Sequence, residues 1–165
     1  MTLPKRLISA IIGGALLLPA GAVAQLDPNS TSDVAIASEH FAAVEGEDFV
    51  TWTGHVQVQQ DESILTTDKL VATGINDGEA DTYRATGNLR FSDGAIAVSG
   101  QRGVFDLLKG VVTVEGNVLV VQGEQVMSGD KLVYNMTTGK MVFSSNGTSR
   151  VRGVFRTGKP KGQKS

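Results

Sequence analysis

The sequence contains few of the residue types that form covalent cross-links or catalytic centres. Its 165 residues include no cysteine, two histidines and four prolines, and aromatic residues make up 5% of the chain. The absence of cysteine excludes disulfide bonds and thiol chemistry. His40 and His55 lie in different parts of the chain, and they fall short of the clustered ligands of a typical metal site. The fold must therefore be stabilised by apolar burial and by hydrogen-bonded strands.

Sequence motifs of catalysis are also missing. The chain has no G-x-S-x-G motif for a nucleophilic serine and no glycine-rich phosphate loop. Asp68 and Asp130 recur at equivalent places in a repeated pattern, which favours a role in turns or strand pairing. We therefore predict that the protein is not an enzyme and uses no cofactor or metal ion.

Residues 1–24 have the features of a cleavable signal peptide. Two basic residues precede an apolar run over residues 7–18, and Ala22-Val23-Ala24 follows with small residues in the pattern that signal peptidase recognises. The apolar run is shorter than the roughly 20 residues that span a bilayer. We predict export to the periplasm, a mature chain that starts at Gln25, and a single domain over residues 25–155.

Acidic and basic residues are unevenly distributed along the rest of the chain. Residues 25–149 carry an acidic excess, whereas residues 150–165 hold six basic residues and no acidic one. We predict a basic, flexible tail at 156–165 that either stays solvated or meets an anionic partner. An acidic body with few aromatic residues argues against nucleic-acid binding.

One pattern occurs three times, in stretches that begin at Trp52, Ala85 and Val114. Each stretch contains a glycine, then a polar residue, then two apolar residues spaced by one. A basic residue follows each glycine by fifteen positions, in the pairs Gly54 and Lys69, Gly87 and Arg102, and Gly116 and Lys131. Partial copies lie around Glu39 and Gly147. A fixed offset in three copies indicates a repeat architecture with incomplete terminal units.

Apolar and polar residues alternate around each repeat glycine, which is typical of strands with one buried face. A glycine inside such a strand favours a bend or a bulge. Turn signals separate the segments at Asp77-Gly78, Asp93-Gly94, Gly123 and 137–139. We predict an all-β fold, a jelly roll or a solenoid built from consecutive antiparallel hairpins.

The apolar faces of these strands are rich in valine, and they fit two interpretations. They form either an ordinary dry core or an open trough for alkyl chains, since burial contributes about 0.8 kcal/mol per CH₂ group. Trp52, Phe105 and Tyr134 suit either role, so the residue pattern alone leaves both interpretations open.

Five short motifs in the last full repeat and its continuation carry a resemblance to a known family. They are Gly-Asn-Val-x-Val at 116–120, Gln122-Gly123, Gly-Asp-Lys-Leu-x-Tyr at 129–134, Thr-Gly-Lys at 138–140 and Gly-x-x-Arg-Val at 147–151. Together they resemble the OstA-type repeat of the LptA/OstA family, the periplasmic lipopolysaccharide-transport bridge proteins. The resemblance covers residues 33–155, and the single domain, the signal peptide and the basic tail fit it.

This resemblance implies a twisted, open-ended β-jelly roll whose apolar interior holds the acyl chains of lipopolysaccharide. It also implies end-to-end self-association through edge strands. The N-terminal edge would meet an inner-membrane LptC-like protein, and the C-terminal edge an outer-membrane LptD-like protein. The residues expected to line the lipid groove are Val34, Ile36, Trp52, Val56, Val58, Leu89, Phe91, Phe105, Leu107, Val118, Val120 and Tyr134.

One position departs from the repeat, and three alternatives to this function remain. Gly103 stands where other copies have Leu70 and Leu132, which predicts a kink or an altered groove width on that strand. A structural cell-surface repeat protein would have a filled core and bind no lipid. A jelly-roll enzyme would bind a metal ion or show turnover. An uncleaved N-terminal segment would indicate a membrane-anchored, LptC-like relative.

Overall fold

The computed structural model describes residues 32–75, 79–147 and 149–155. The predicted signal peptide, the predicted turn at Asp77-Gly78 and the predicted tail lie outside the described residues. Within the described residues the chain forms ten β-strands and no helix, so it contains no helix that is long and apolar enough to cross a membrane. The strands are β1 Ala35–Ala37, β2 His40–Ala43, β3 Phe49–Gln60, β4 Ser63–Thr73, β5 Thr82–Ser92, β6 Ile96–Asp106, β7 Val111–Gln122, β8 Gln125–Asn135, β9 Met141–Ser144 and β10 Arg152–Val154.

All ten strands belong to one antiparallel sheet in which sequence neighbours are also spatial neighbours. The long strands β3 to β8 pair consecutively. At one edge β1 and β2 both pair with β3, and at the other edge β9 and β10 both pair with β8. Each edge is therefore a single strand position interrupted in its middle. The prediction of an all-β fold of consecutive antiparallel hairpins is confirmed, and the sheet formed by the described residues stays open.

Short polar turns connect the long strands. The Asp93 carboxylate accepts a hydrogen bond from the backbone N–H of Ile96 at 2.8 Å, and the Asn135 side-chain oxygen accepts one from the N–H of Thr138 at 2.7 Å. Side-chain acceptors of this kind satisfy backbone donors that the ladder leaves free. The turns predicted at Asp93-Gly94, Gly123 and 137–139 are present.

A line of bulges crosses the sheet at the repeat glycines. Gly54, Gly87 and Gly116 have φ angles of 82°, 86° and 86°, a region that side chains with a Cβ rarely adopt. The pairing register shifts at this level in every strand pair from β3–β4 to β7–β8. These register shifts agree with the bend or bulge that a glycine inside each strand predicts. We call this line the bend line, and it divides the sheet into a first half containing Trp52 and a second half containing Val56.

Four polar side chains, which we call the polar ladder, cover the bend line on the outer surface. They are Glu39, Asp68, Gln101 and Asp130, one on each alternate strand position. A Cβ placed on Gly87 would lie 2.8 Å from Cγ of Asp68, so the ladder side chain occupies the space that the missing side chain leaves. The same close approach joins Glu39 to Gly54 and Gln101 to Gly116.

Hydrogen bonds fix three of the ladder side chains, those of Glu39, Asp68 and Asp130, to neighbouring residues. Asn88 donates to the Asp68 carboxylate at 2.9 Å, and His55 Nδ1 lies 2.7 Å from a Glu39 oxygen. The backbone N–H of Asn146 donates to Asp130 at 2.8 Å, and the Ser149 hydroxyl donates to the same oxygen. These bonds lower the pKa of Asp130, the Ser149 bond first. The contacts of Asp68 and Asp130 fit the structural role predicted for them.

The core lies on the face opposite the ladder, where side chains of both half-sheets pack into one cluster. On the odd-numbered long strands, inward positions keep one parity across the bulge, as in Trp52 and Val56. On β4 the parity changes, because β4 has one residue fewer at the bend line: Leu65 and Thr67 face inward before it, and Leu70 after it. Buried Thr67 satisfies its hydroxyl by donating to the carbonyl of Gly87 at 2.8 Å.

Candidate functional site

The candidate site is the apolar interior between the two half-sheets, and the structure brings the predicted groove residues together there. Seven of the twelve are buried: Trp52, Val56, Val58, Leu89, Phe105, Val118 and Val120. Four are half-buried and pack against the same cluster: Val34, Ile36, Phe91 and Leu107. Tyr134 is half-buried and lies on the same face of the sheet, directly opposite Val112 in the register.

Sequence reasoning missed much of the interior that the returning strands supply. Leu65, Leu70 and Ala72 of β4 and Leu132 of β8 expose 2% of their surface or less. A strict period of two fails on these strands, because the inward parity changes at the bend line. The signal that could have found them is the repeat itself, since Leu70 and Leu132 are equivalent positions.

The interior is filled by the chain's own side chains. The buried apolar residues expose at most 8% of their surface, and Val58 and Ala72 expose none. Side chains from both half-sheets therefore meet across the space that a ligand would occupy. A ligand in this interior has to displace some of these contacts.

The apolar cluster extends across the whole sheet. At the N-terminal edge it includes Ile36 of β1, and at the C-terminal edge Met141 and Phe143 of β9 pack against it. An ordinary closed core ends within the domain, whereas this one reaches both open edges. The apolar cluster is therefore present at both edges of the sheet.

Gly103 changes the interior less than the sequence predicted. It pairs regularly with Ala85 and Val114, so the predicted kink is absent. The space left by its missing side chain is taken by neighbours: a Cβ there would lie 3.1 Å from Leu89 Cδ1 and 3.3 Å from Phe105 Cε2. The groove is therefore not widened at this position.

Two concave regions lie on the outer face. A polar cleft of about 430 Å³ at the bend line is lined by Arg102, Glu115, Lys131 and neighbouring amides. Lys131 Nζ and Arg102 Nε lie 3.0 and 2.8 Å from the Glu115 carboxylate, and these hydrogen bonds lower the pKa of Glu115, that of Lys131 most. An apolar cleft of about 490 Å³ includes Ile64 and Leu119, each 39% exposed.

Among the residues that the structure describes, both edges of the sheet present unpaired backbone groups and apolar side chains. Phe41 on β2 is 56% exposed, and its ring packs at 5.4 Å from that of Trp52. At the other edge Val154 is 67% exposed, and Val142 and Phe155 are exposed as well. Natural proteins usually protect edge strands with charges or prolines, because exposed edges pair with other chains.

Titratable groups form no metal-binding cluster in the part of the chain that the structure describes. His40 and His55 are exposed on the outer surface. Burial raises the pKa of Tyr83 to about 12, with the charge of Glu79 as a second cause. The Tyr83 phenol therefore stays neutral inside the apolar cluster.

The comparison with protein families decides the relationship. Residues 35–140 match the family described as LptA/(LptD N-terminal domain) LPS transport protein. The chain belongs to this family. The match begins at the first residue of β1 and ends directly before β9. It therefore includes every long strand and the three repeat glycines Gly54, Gly87 and Gly116.

A solved structure of an LptA homologue has the same fold. It is LptH from Pseudomonas aeruginosa, the LptA homologous periplasmic component of a lipopolysaccharide transport device. The TM-score is 0.66 at 14% sequence identity, and the alignment covers 76% of this chain and 96% of LptH. No curated protein matches the chain by sequence. At this identity the likeness to LptH shows the fold, an open β-jelly roll of the LptA type.

Proposed function

We propose that this LptA-family protein is a periplasmic component of lipopolysaccharide transport and not an enzyme. In this proposal the acyl chains of lipopolysaccharide occupy the interior between the two half-sheets. The observation that carries the proposal is the apolar cluster that continues from Ile36 at one open edge to Phe143 at the other. Family membership supports the proposal.

The energetics of the interior fit an acyl ligand. Each methylene that leaves water for an apolar interior contributes about 0.8 kcal/mol. An acyl chain can therefore replace the contacts between the half-sheets with contacts of the same apolar kind. The lipid's charged and sugar groups would remain at the opening, since burying them without partners is costly.

End-to-end assembly is the second part of the proposal. The exposed strands β2 and β10 offer backbone groups that a second chain can pair with by strand addition. Joining two chains in this way would also join their apolar interiors. We propose that the N-terminal edge pairs with an LptC-like inner-membrane protein and the C-terminal edge with an LptD-like outer-membrane protein.

One observation favours the alternative of a structural repeat protein. The interior residues are as buried as those of an ordinary core, with at most 8% exposure. In that case the cluster would act only as a core, and lipid would neither bind nor stabilise the chain.

Photo-crosslinking at two adjacent residues of β5 tests the proposal. Phe91 packs against the interior cluster, whereas Arg90 is exposed on the outer face. Both residues line the outer apolar cleft, so lipid bound in that cleft would label both positions. A photoreactive phenylalanine analogue is placed at each position in cells that make lipopolysaccharide, and lipid adducts are detected on blots.

Adducts at Phe91 without adducts at Arg90 are the expected result. Adducts at both positions would move the lipid to the outer cleft and overturn the proposed interior site. Met127 on β8 also packs against the interior cluster. A lack of adducts at both Phe91 and Met127 would favour the structural alternative.

A further inference from the structure

Strand β6 contributes no side chain to the interior beside the bend line. Its two inward positions there are Gly100 and Gly103, in the register of Leu89 and Ala85 on β5. Among the long strands of the described chain, β6 alone has glycine at both of these positions. We call this stretch of bare backbone the glycine track.

Side chains from three neighbouring positions cover the glycine track. Val114 lies over Gly100, where a Cβ would be 2.5 Å from Val114 Cγ1. Leu89 and the ring of Phe105 lie over Gly103, at 3.1 and 3.3 Å from the position of a Cβ. Neither glycine has a positive φ, so the backbone conformation does not require glycine at these positions. The close packing above the track is what excludes a side chain.

The next repeat lacks this arrangement. Leu132 of β8 stands at the position of Gly103, and Tyr134 stands at the position of Phe105. Leu132 is 2% exposed and fills its own place. The Phe105 ring, in contrast, extends over Gly103 into the space that the missing side chain leaves. Phe105 lies near the end of β6, two positions before Leu107.

We propose that the Phe105 ring is a movable plug over the glycine track. In the lipid-bound protein the ring moves away, and the first segment of an acyl chain takes its place. This inference rests on the proposed lipid-carrying function. An unbranched alkyl chain fits over bare backbone, whereas the other long strands present a side chain at one or both of these positions. Displacement of the Phe105 ring uncovers part of the backbone at Gly103 without separating the half-sheets, while Val114 stays over Gly100 and Leu89 beside Gly103.

The plug makes a prediction that a purely structural role for Phe105 does not make. If the ring competes with the acyl chain, then Phe105→Ala removes a competitor and strengthens lipid binding. In the wild type, lipid binding has to supply the free energy that displaces the buried Phe105 ring. Removal of the ring by Phe105→Ala should therefore tighten lipid binding by about tenfold or more. If Phe105 only stabilises the fold, the variant loses stability and lipid affinity does not rise.

The experiment measures binding of cis-parinaric acid, a fluorescent fatty acid, to the full mature chain by fluorescence titration. The variants are Phe105→Ala, Phe105→Ala with Gly103→Leu, and Tyr134→Ala. The double variant refills the track with the leucine that other repeats carry, so its melting temperature should recover relative to Phe105→Ala. Tyr134→Ala is the comparison variant. It also removes an aromatic ring from the interior face, but Leu132 occupies the position that corresponds to Gly103, so no bare backbone is uncovered and the affinity should not rise above that of wild type.

The expected order of affinity is Phe105→Ala above wild type and Tyr134→Ala, with the double variant weakest. An equal affinity for wild type and Phe105→Ala would overturn the plug and leave the proposed function intact. Equal affinities of Phe105→Ala and the double variant would also overturn it, because the track would then not be the lipid site. A failure of every chain, wild type included, to bind the probe would overturn the proposed function itself, and the plug with it.

Discussion

The bend line makes a sharp prediction about stability at Gly87. This glycine has a φ angle of 86°, and a Cβ on it would meet the side chain of Asp68, lying 2.8 Å from Cγ and 2.9 Å from Cβ. Gly87→Ala therefore imposes two separate costs. The backbone has to hold an unfavourable conformation, and the Asp68 side chain has to move away from Asn88, whose side-chain amide donates to it.

The two costs can be estimated separately. A left-handed conformation costs a residue with a Cβ about 1–2 kcal/mol. Loss of the hydrogen bond from Asn88 to Asp68 adds roughly 0.5–1.5 kcal/mol, with the low end favoured because both groups are exposed. Gly87→Ala should therefore destabilise the fold by about 1.5–2.5 kcal/mol, which lowers the melting temperature of a domain of this size by roughly 5–10 °C.

Thermal unfolding followed by circular dichroism measures this effect, and Gly123→Ala is the control. Gly123 also has a positive φ, 56°, but nothing lies within 4 Å of a Cβ placed there. Its substitution should cost about 1 kcal/mol, from the backbone alone. Adding Asp68→Ala to Gly87→Ala should cost less than the sum of the single effects, because the two residues share one contact. Equal losses in Gly87→Ala and Gly123→Ala would refute the role of the ladder contact.

Two further predictions concern the edges and the polar cleft. Phe41→Lys and Val154→Lys each place a charge on one of the two edges, so each variant keeps one edge that can pair. Sedimentation velocity should therefore show each variant alone as a monomer and their mixture as a heterodimer. If wild type and both variants form the same oligomers, edge pairing is excluded. The hydrogen bonds from Lys131 and Arg102 lower the pKa of Glu115 in the folded protein below its ordinary value. The stability that ionised Glu115 contributes is therefore fully present at a pH above the ordinary pKa, and it is lost as the pH falls through the lowered pKa of the folded state. Urea unfolding between about pH 6 and pH 3 should therefore show a smaller acid-induced loss for Glu115→Gln than for wild type; identical slopes would contradict this reasoning.

The repeat glycines explain why so much of the fold could be predicted. Gly54, Gly87 and Gly116 recur with alternating apolar residues around them, and a strand with a periodic bulge is the arrangement that meets both features. The partial copies around Glu39 and Gly147 likewise predicted incomplete terminal units. In the structure these are the interrupted edge positions formed by β1 with β2 and by β9 with β10.

The parts that could not be predicted depend on contacts between half-sheets. Leu65 faces inward because β4 has one residue fewer than β3 at the bend line, and the local alternation of apolar and polar residues does not show this difference. Gly103 predicted a kink because its own side chain is missing. The outcome was decided by Leu89 and Phe105, which come from other positions and cover it. The degree to which the interior is filled is likewise a three-dimensional property that local patterns do not contain.

The filled interior limits how a ligand can enter it. Exposing one buried apolar side chain costs about 1.5–3 kcal/mol, so parting the half-sheets over six such residues would cost roughly 9–18 kcal/mol. That amount is comparable to the entire stability of a typical domain, about 5–15 kcal/mol. Full opening in the absence of lipid would therefore amount to unfolding. Lipid has to enter by displacing one or two side chains at a time, each replaced at once by methylene groups. Such a path needs a place where few side chains block the way. Within the described chain β6 provides it at Gly103, where the nearest atoms to a Cβ are side-chain atoms of Leu89 and Phe105.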